Sequence, residues 1–199
     1  RVFIYENTSG TTWNQIGTLI SDWADGKFGE NLQFDDSGNV LIIGAPYFDT
    51  NKGLVRVYEN TSGTTWNQIG NDTHITGSAA NHLAGLSVSI SGDGTIISVG
   101  EPSNDDESIT GQGRVRVFER NVNSWDLRQE FYGTAQDREL GKNVSLNETG
   151  SIIAIGGEGD QDKGFIRMYE WVDSAYQQLG DDIIGDNVDD LLAAKSSDE

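Results

Sequence analysis

The sequence has no cysteine, only two prolines, and 13 basic side chains against 32 acidic ones among its 199 residues. The absence of cysteine excludes a disulfide scaffold, a thiolate metal site and a cysteine nucleophile. The net charge of −19 argues against nucleic-acid binding and against a basic membrane-surface patch, because both need clustered Lys and Arg. No apolar run reaches the roughly 18 residues of a membrane-spanning helix, so we expect no direct membrane insertion.

A tandem repeat organises the chain. Residues 5–17 and 58–70 have the same thirteen letters, YENTSGTTWNQIG, and weaker copies begin at Val115 and Ile166. The aromatic anchors of the four copies are 53, 60 and 51 residues apart. Between the copies lies a second unit with two glycines 15 residues apart: Gly29 and Gly44, Gly85 and Gly100, Gly141 and Gly156. Fixed spacings of this kind indicate a repeat architecture.

Each period contains four short strand patterns. An alternating segment such as 86–91 is followed by a glycine-containing turn and a nearly all-apolar segment such as 41–43. A third segment (55–58) is rich in β-formers, and a polar turn leads to a fourth around Trp66. Tandem four-stranded units are typical of β-propeller blades, whereas β-solenoid periods are shorter and a β-sandwich does not explain identical blocks at a fixed offset. The sequence therefore predicts an all-β fold, a β-propeller segment of four-stranded antiparallel blades.

The strand count predicts about three and a half blades. The predicted boundaries are 1–27 for a half blade, 28–84, 85–140 and 141–180 for three blades, and 181–199 for an acidic tail or the start of a further repeat. Propellers close with about four to eight blades. We therefore expect these residues to belong to a longer chain or to a larger assembly.

The glycine pairs carry a family resemblance. Phe28-Gly29 followed by Gly44-Ala45-Pro46 resembles the FG…GAP signature of the FG-GAP repeats in integrin α-subunit propellers. The second copy of the signature has Gly100-Glu101-Pro102 in place of GAP. The resemblance covers roughly residues 1–180 and implies a propeller that serves adhesion, recognition or assembly.

Many members of that family carry a calcium loop between the two glycine elements. Here the connection is only residues 35–39 or 91–94 and offers one or two carboxylates, whereas calcium takes six to eight oxygen ligands. We therefore expect no cofactor and do not transfer the calcium site of the family to this chain.

Acidic side chains mark the loops between the second and third strands. They are Asp49, then Asp105, Asp106 and Glu107, then Asp160 and Asp162. Repeat equivalence places these loops on one rim, where Asp105, Asp106, Asp160 and Asp162 are weak cation candidates, and Asp49 and Glu107 are candidates for contact with a basic partner. Solvation alone is the competing interpretation.

The tryptophans fall into two groups. Trp13, Trp66 and Trp125 recur at one repeat position and are predicted to pack between blades. Trp23 and Trp171 break the repeat pattern, so they are the candidates for a surface contact with a ligand or partner.

Residues for catalysis are few. His74 and His82, the two histidines, are predicted to be exposed in one connection. No serine lies in a nucleophile-elbow pattern, and no glycine-rich phosphate loop leads from a strand into a helix. The sequence therefore predicts that the chain is not an enzyme.

Five Asn-x-Ser/Thr motifs are candidate glycosylation sites: Asn7, Asn60, Asn71, Asn143 and Asn147. Such sites, with the acidic and cysteine-free composition, are compatible with an extracellular, cell-surface or lumenal location. The function predicted first is a non-catalytic protein-interaction, adhesion or assembly module that binds through rim loops. The alternative is a carbohydrate-binding, lectin-like propeller with glycan ligands in pockets between blades.

Overall fold

The computed structural model describes residues 1–20, 26–70, 75–104, 111–134, 138–159 and 163–187. An N-terminal hairpin consists of β1 (Val2–Asn7) and β2 (Trp13–Leu19). The first blade contains β3 (Asn31–Phe34), β4 (Val40–Ala45), the short turn α1 (Phe48–Asn51), β5 (Leu54–Asn60) and β6 (Trp66–Gln68). The second blade contains β7 (Ser87–Ile90), β8 (Ile96–Glu101), β9 (Arg114–Asn121) and β10 (Ser124–Tyr132). The third blade contains β11 (Asn143–Leu146), β12 (Ile152–Gly157), β13 (Phe165–Val172), β14 (Ala175–Gln178) and β15 (Ile183–Ile184).

Each blade is an antiparallel meander in which strands pair in sequence order. The second strand of a blade lies inside its sheet with other sheets on both faces, and for this reason all six residues of β4 are buried. β15 pairs with β13, so the third sheet extends past residue 180. The predicted all-β propeller fold is confirmed, and the chain is a segment of a β-propeller.

The first strands of successive blades are held side by side by side-chain hydrogen bonds. The Gln33 amide accepts a bond from the N–H of Ile90 at 3.2 Å and donates one to its carbonyl at 3.4 Å. At the next interface the hydroxyl of Ser89 accepts a bond from the N–H of Leu146 at 3.0 Å. β3, β7 and β11 therefore lie next to one another in repeat order.

The recurring glycines are sites of close approach between blades. Gly29, Gly85 and Gly141 have φ of 97°, 86° and 92°, a region that L side chains rarely adopt. A Cβ added at Gly44 would lie 2.1 Å from the carbonyl oxygen of Gly85. Backbone contact of this kind explains the FG…GAP-like spacing as a packing requirement of the fold.

Three apolar cores fill the spaces between sheets. One joins the N-terminal hairpin to the first blade, one joins the first blade to the second, and one joins the second blade to the third. The fourth-strand aromatics Trp125 and Tyr176 are buried in these cores, whereas Trp13, which was predicted to pack between blades, is 64% exposed on the N-terminal hairpin. Aromatic side chains bury large areas, so they contribute much of the packing between blades.

In each blade the turn that joins the first strand to the second is held by hydrogen bonds to one of its own side chains. The Asp35 carboxylate accepts hydrogen bonds from the N–H groups of Asn39 and Val40 at 2.8 and 2.7 Å. The Ser91 hydroxyl and the Asn147 side-chain oxygen accept equivalent bonds, each at 2.9 Å, from Ile96 and Ile152. These groups act as turn caps.

A charged cluster on the third blade makes stability depend on pH. Burial opposes ionisation of Glu158, but the hydrogen bond and charge of Lys142 outweigh burial and lower the pKa of Glu158 below its ordinary value of 4.5. A carboxyl with a lowered pKa in the folded state contributes stability above its unfolded pKa, and this contribution is lost as the pH falls through the folded pKa.

We expect Glu158→Gln to reduce the free energy of unfolding by about 0.5 kcal/mol at pH 7, because the pair is partly exposed. The difference from the wild type should disappear below the folded pKa of Glu158. Urea melts between pH 7 and pH 3 measure this effect, with exposed Glu170→Gln as the control. A difference that persists unchanged at pH 3 would contradict the prediction.

Candidate functional site

A polar groove lies between the outer strands of the first and second blades. Its volume is about 520 Å³, and its lining residues are Glu59, Thr61, Asn67, Gln68, Ile69, Gly70, Asn123 and Ser124. We call this feature the inter-blade groove. Six of the eight lining residues come from the β5–β6 hairpin, and two come from the β9–β10 hairpin, at its turn and at the first residue of β10.

The hairpin wall is shaped by its tight turn. The Asn60 side-chain amide donates to the carbonyl of Gly63 at 3.2 Å, and Gly63 has a φ of 77°. Asn67 donates its amide N–H to the hydroxyl of Thr61 at 2.9 Å. These bonds hold Asn67 on the groove wall with its amide oxygen available for a ligand.

The opposite wall is the turn between β9 and β10. The hydroxyl of Ser124 donates to the carbonyl of Asn121 at 2.9 Å, and Val122 has a φ of 54°. Asn123 is exposed at the tip of this turn. The fold therefore brings an amide and a hydroxyl of the second blade opposite the amides of the first.

One ion pair crosses the interface at the groove. The Arg120 guanidinium donates two hydrogen bonds to the Glu59 carboxylate, at 3.0 and 2.9 Å. This bidentate geometry neutralises Glu59 and links the two walls. The remaining polar groups of the groove are neutral amides and hydroxyls. Such a surface can exchange several neutral hydrogen bonds with a ligand and has no unpaired cation to attract an anion.

Trp125 lies behind the groove. Its indole Cδ1 would be 3.7 Å from a Cβ placed on Gly70. The absence of a side chain at residue 70 thus leaves the indole edge close to the groove wall. The indole N–H is buried and has no hydrogen-bond partner among the described residues.

A second polar cluster lies between the same two blades but is closed to solvent. Glu101 is 0% exposed and accepts hydrogen bonds from Arg114 at 2.6 Å and from Arg116 at 2.5 Å. Burial lowers the pKa of Arg116, whereas the charge of Glu101 outweighs burial at Arg114 and raises its pKa. Because Glu101 is fully buried, this cluster is a structural ion network.

The position of His82 corrects the sequence prediction. His82 was predicted to be exposed, yet it is 6% exposed and its Nδ1 lies 2.8 Å from the Asn104 side-chain amide and 3.2 Å from the Ser78 hydroxyl. The physical reason is that backbone hydrogen bonds hold the stretch around His82 on residues 50–53 of the first blade, so that the imidazole faces Asn104 of the second blade. His74 lies outside the described residues.

The candidate contact residues are placed as follows. Asp49 is exposed in α1, with a φ of 45°. Trp171 is half-buried, and the Arg128 guanidinium stacks over its ring at 3.6 Å from the ring centroid. This stacking occupies one ring face of Trp171. Trp23, Asp105, Asp106, Glu107, Asp160 and Asp162 lie outside the described residues.

The candidate glycosylation sites differ in their surroundings. Asn7 and Asn60 bond within their turns, to Gly10 and Gly63. Asn147 is the turn cap described above, and Asn143 is half-buried on β11. Asn71 lies outside the described residues. Glycosylation at all five sites stays a prediction.

The described ranges contain neither a metal-binding cluster nor a membrane-spanning helix. Within them, no group of three or more His, Asp or Glu side chains is close enough to hold a metal ion. No helix in that part of the chain has the length and apolar character needed to cross a membrane.

No protein-family model and no curated protein sequence matches the chain, but solved structures do. A candidate 6-phosphogluconolactonase from Bacteroides uniformis is similar over 92% of this chain and 48% of its own length, with a TM-score of 0.62 and 14% identity. A fucose lectin from Kordia zhangzhouensis, in complex with methyl-fucoside, is similar over 79% of this chain and 97% of its own, with a TM-score of 0.44 and 14% identity. The β-propeller domain of the trilobed protease from Pyrococcus furiosus is similar over 74% of this chain and 40% of its own length, with a TM-score of 0.39 and 15% identity.

The first of these structures contradicts the prediction that the chain is not an enzyme. At 14% identity the likeness shows the fold alone, and this chain spans less than half of that protein. The fold is nevertheless shared with a candidate enzyme, and one propeller scaffold hosts many functions. The absence of a catalytic sequence motif therefore does not exclude an enzyme.

Sequence reasoning did not identify the groove residues. Asn67, Gln68 and Asn123 are ordinary polar residues, and only tertiary packing places the turn before β10 opposite the β5–β6 hairpin. The available signal was the thirteen-residue block, since six groove residues lie within one of its two copies.

Proposed function

We propose that this propeller segment is a binding module and that the inter-blade groove recognises a neutral, hydroxyl-rich ligand, namely a glycan. The observation that supports this proposal is the lining of the groove. Amides and hydroxyls from two blades converge there around a carboxylate already neutralised by Arg120.

The chemistry favours a glycan over other small ligands. Amide groups both donate and accept hydrogen bonds, and so do the hydroxyl groups of a sugar. The volume of about 520 Å³ lies within the 300–1,000 Å³ of typical ligand sites.

Adhesion and an extracellular or cell-surface location are consistent with this proposal, because glycans are abundant there. The glycines of the FG-GAP-like pattern lie where neighbouring blades pack closely, so the pattern supports the propeller architecture. Contact of a basic protein with the acidic rim is a separate proposal, and the loss of such a complex at high salt would test it.

A glycan array tests the proposed function. We expect the wild type to bind neutral glycans and Asn67→Ala to weaken that binding about two- to tenfold, since the loss of one hydrogen bond costs about 0.5–1.5 kcal/mol. Asn123→Ala should act similarly from the opposite wall. Exposed Gln177→Ala on the third blade is the matched amide control and should leave binding unchanged.

Two outcomes would overturn the proposal. One is that no glycan binds to the wild type. The other is that Asn67→Ala and Asn123→Ala bind as tightly as Gln177→Ala, which would place the ligand elsewhere on the protein.

A further inference from the structure

The thirteen-residue block occurs twice, and only its second copy lines the inter-blade groove. The first copy supplies the same six residues at equivalent positions: Glu6, Thr8, Asn14, Gln15, Ile16 and Gly17. They lie on the N-terminal hairpin, which packs on the first blade as the first blade packs on the second.

The turn of each copy has the same local conformation, whereas the copies diverge at their last residue, where Gly70 has a φ of 82° and Gly17 continues β2. Asn14 donates to the Thr8 hydroxyl at 2.9 Å, the same distance as between Asn67 and Thr61. The turn glycines, Gly10 and Gly63, have φ of 75° and 77°. The polar side chains of the first copy are therefore presented in the same way as those that line the groove.

The neighbouring aromatic is also equivalent. A Cβ on Gly17 would lie 2.8 Å from the indole Cδ1 of Trp66, as Gly70 lies against Trp125. The residues before Trp125 form the far wall of the inter-blade groove, and the residues before Trp66 are Thr64 and Thr65. Hydroxyl groups thus replace the amide of Asn123 on that side.

From this equivalence we propose a second glycan-binding groove, between the N-terminal hairpin and the first blade. It takes the same class of neutral glycan, so the chain is bivalent for this ligand. The inference rests on the proposed function of the inter-blade groove, because it transfers that ligand class to the repeated wall.

The two sites differ in one charge. The position of Arg120 is occupied by Asn60 in the first blade, so the carboxylate of Glu6 lacks the arginine that neutralises Glu59. Glu6 has no ion pair within the described residues. The second groove therefore keeps a free carboxylate acceptor, and its affinity for the ligand should differ from that of the first.

Side-chain amide NMR signals distinguish the two sites. The probe is a set of methyl glycosides of glucose, galactose, mannose, fucose and N-acetylglucosamine, titrated into the full chain. We expect at least one glycoside to shift the amides of Asn14 and Gln15 as well as those of Asn67 and Gln68. Asn67→Ala should abolish the shift at Gln68 and leave the shift at Gln15, and Asn14→Ala should do the reverse.

The outcomes separate the two proposals. Shifts confined to Asn67 and Gln68 would overturn the second groove and leave the proposed function intact. Shifts at neither pair would overturn both. Shifts at Gln15 that disappear in Asn67→Ala would also overturn the second groove, because the two copies would then belong to one site.

Discussion

Replacing Gly100 with alanine is expected to reduce the free energy of unfolding by about 3 kcal/mol or more, because overpacking of this severity forces backbone shifts. The added Cβ would lie 2.0 Å from the carbonyl oxygen of Gly141 and 2.2 Å from the hydroxyl of Ser87. Gly141 belongs to the next blade, so relief of the clash requires the second and third blades to separate. Urea unfolding at pH 7 measures the loss.

Gly10→Ala is the control for replacing a glycine where the added Cβ meets no other atom. Gly10 has a φ of 75° and nothing within 4 Å of an added Cβ, so the expected cost is only the backbone strain of about 1–2 kcal/mol. A Gly100→Ala variant no less stable than Gly10→Ala would contradict the account of blade packing.

Removal of the Glu101 carboxylate has the second large effect. Glu101→Ala leaves the buried guanidinium of Arg116 without its acidic partner and leaves Arg114 with only the longer pair to Glu130, at 3.3 Å. Breaking a buried ion pair from one side costs about 3–5 kcal/mol. We expect a loss of that size in the free energy of unfolding, measured by urea melts.

The first blade indicates which second substitution should rescue this variant. Glu101 pairs with Arg114 across β8 and β9, whereas the equivalent pair in the first blade is Ala45 and Leu54. The double variant Glu101→Ala/Arg114→Leu recreates that apolar pair and should recover part of the lost stability but not all of it, because Arg116 stays buried without its carboxylate partner.

The partly exposed Glu59–Arg120 pair is the control for charge removal alone, and Glu59→Ala should cost no more than about 1 kcal/mol. If the double variant were no more stable than Glu101→Ala, the apolar replacement would be incompatible with the second blade. The pairwise explanation would then be wrong.

The sequence predicted the fold well because the fold depends on local, repeated signals. Apolar segments, turn glycines and the spacing of Gly44 and Gly85 all reflect contacts that recur at every blade. The pairing of Glu101 with Arg114 was harder to predict. Only the register of β8 against β9 shows that these two residues lie opposite each other, so that replacing one calls for replacing the other.

The candidate site could not be predicted in the same way. The groove combines a hairpin with a turn more than fifty residues away, and its residues have no distinctive chemistry alone. Trp171 was selected because it breaks the repeat, but the stacking of Arg128 on its ring depends on the packing of the third blade on the second. The burial of His82 against Asn104 could not be predicted from the repeat either, because the other repeats have no histidine in this connection.

The most direct measurement of the central claim is a crystal structure of the chain soaked with the neutral glycan that binds best on the array. We expect density for the sugar in the inter-blade groove, within hydrogen-bond distance of Asn67 and Asn123. Density only at the rim loops or on Trp171, with the groove filled by water, would contradict it.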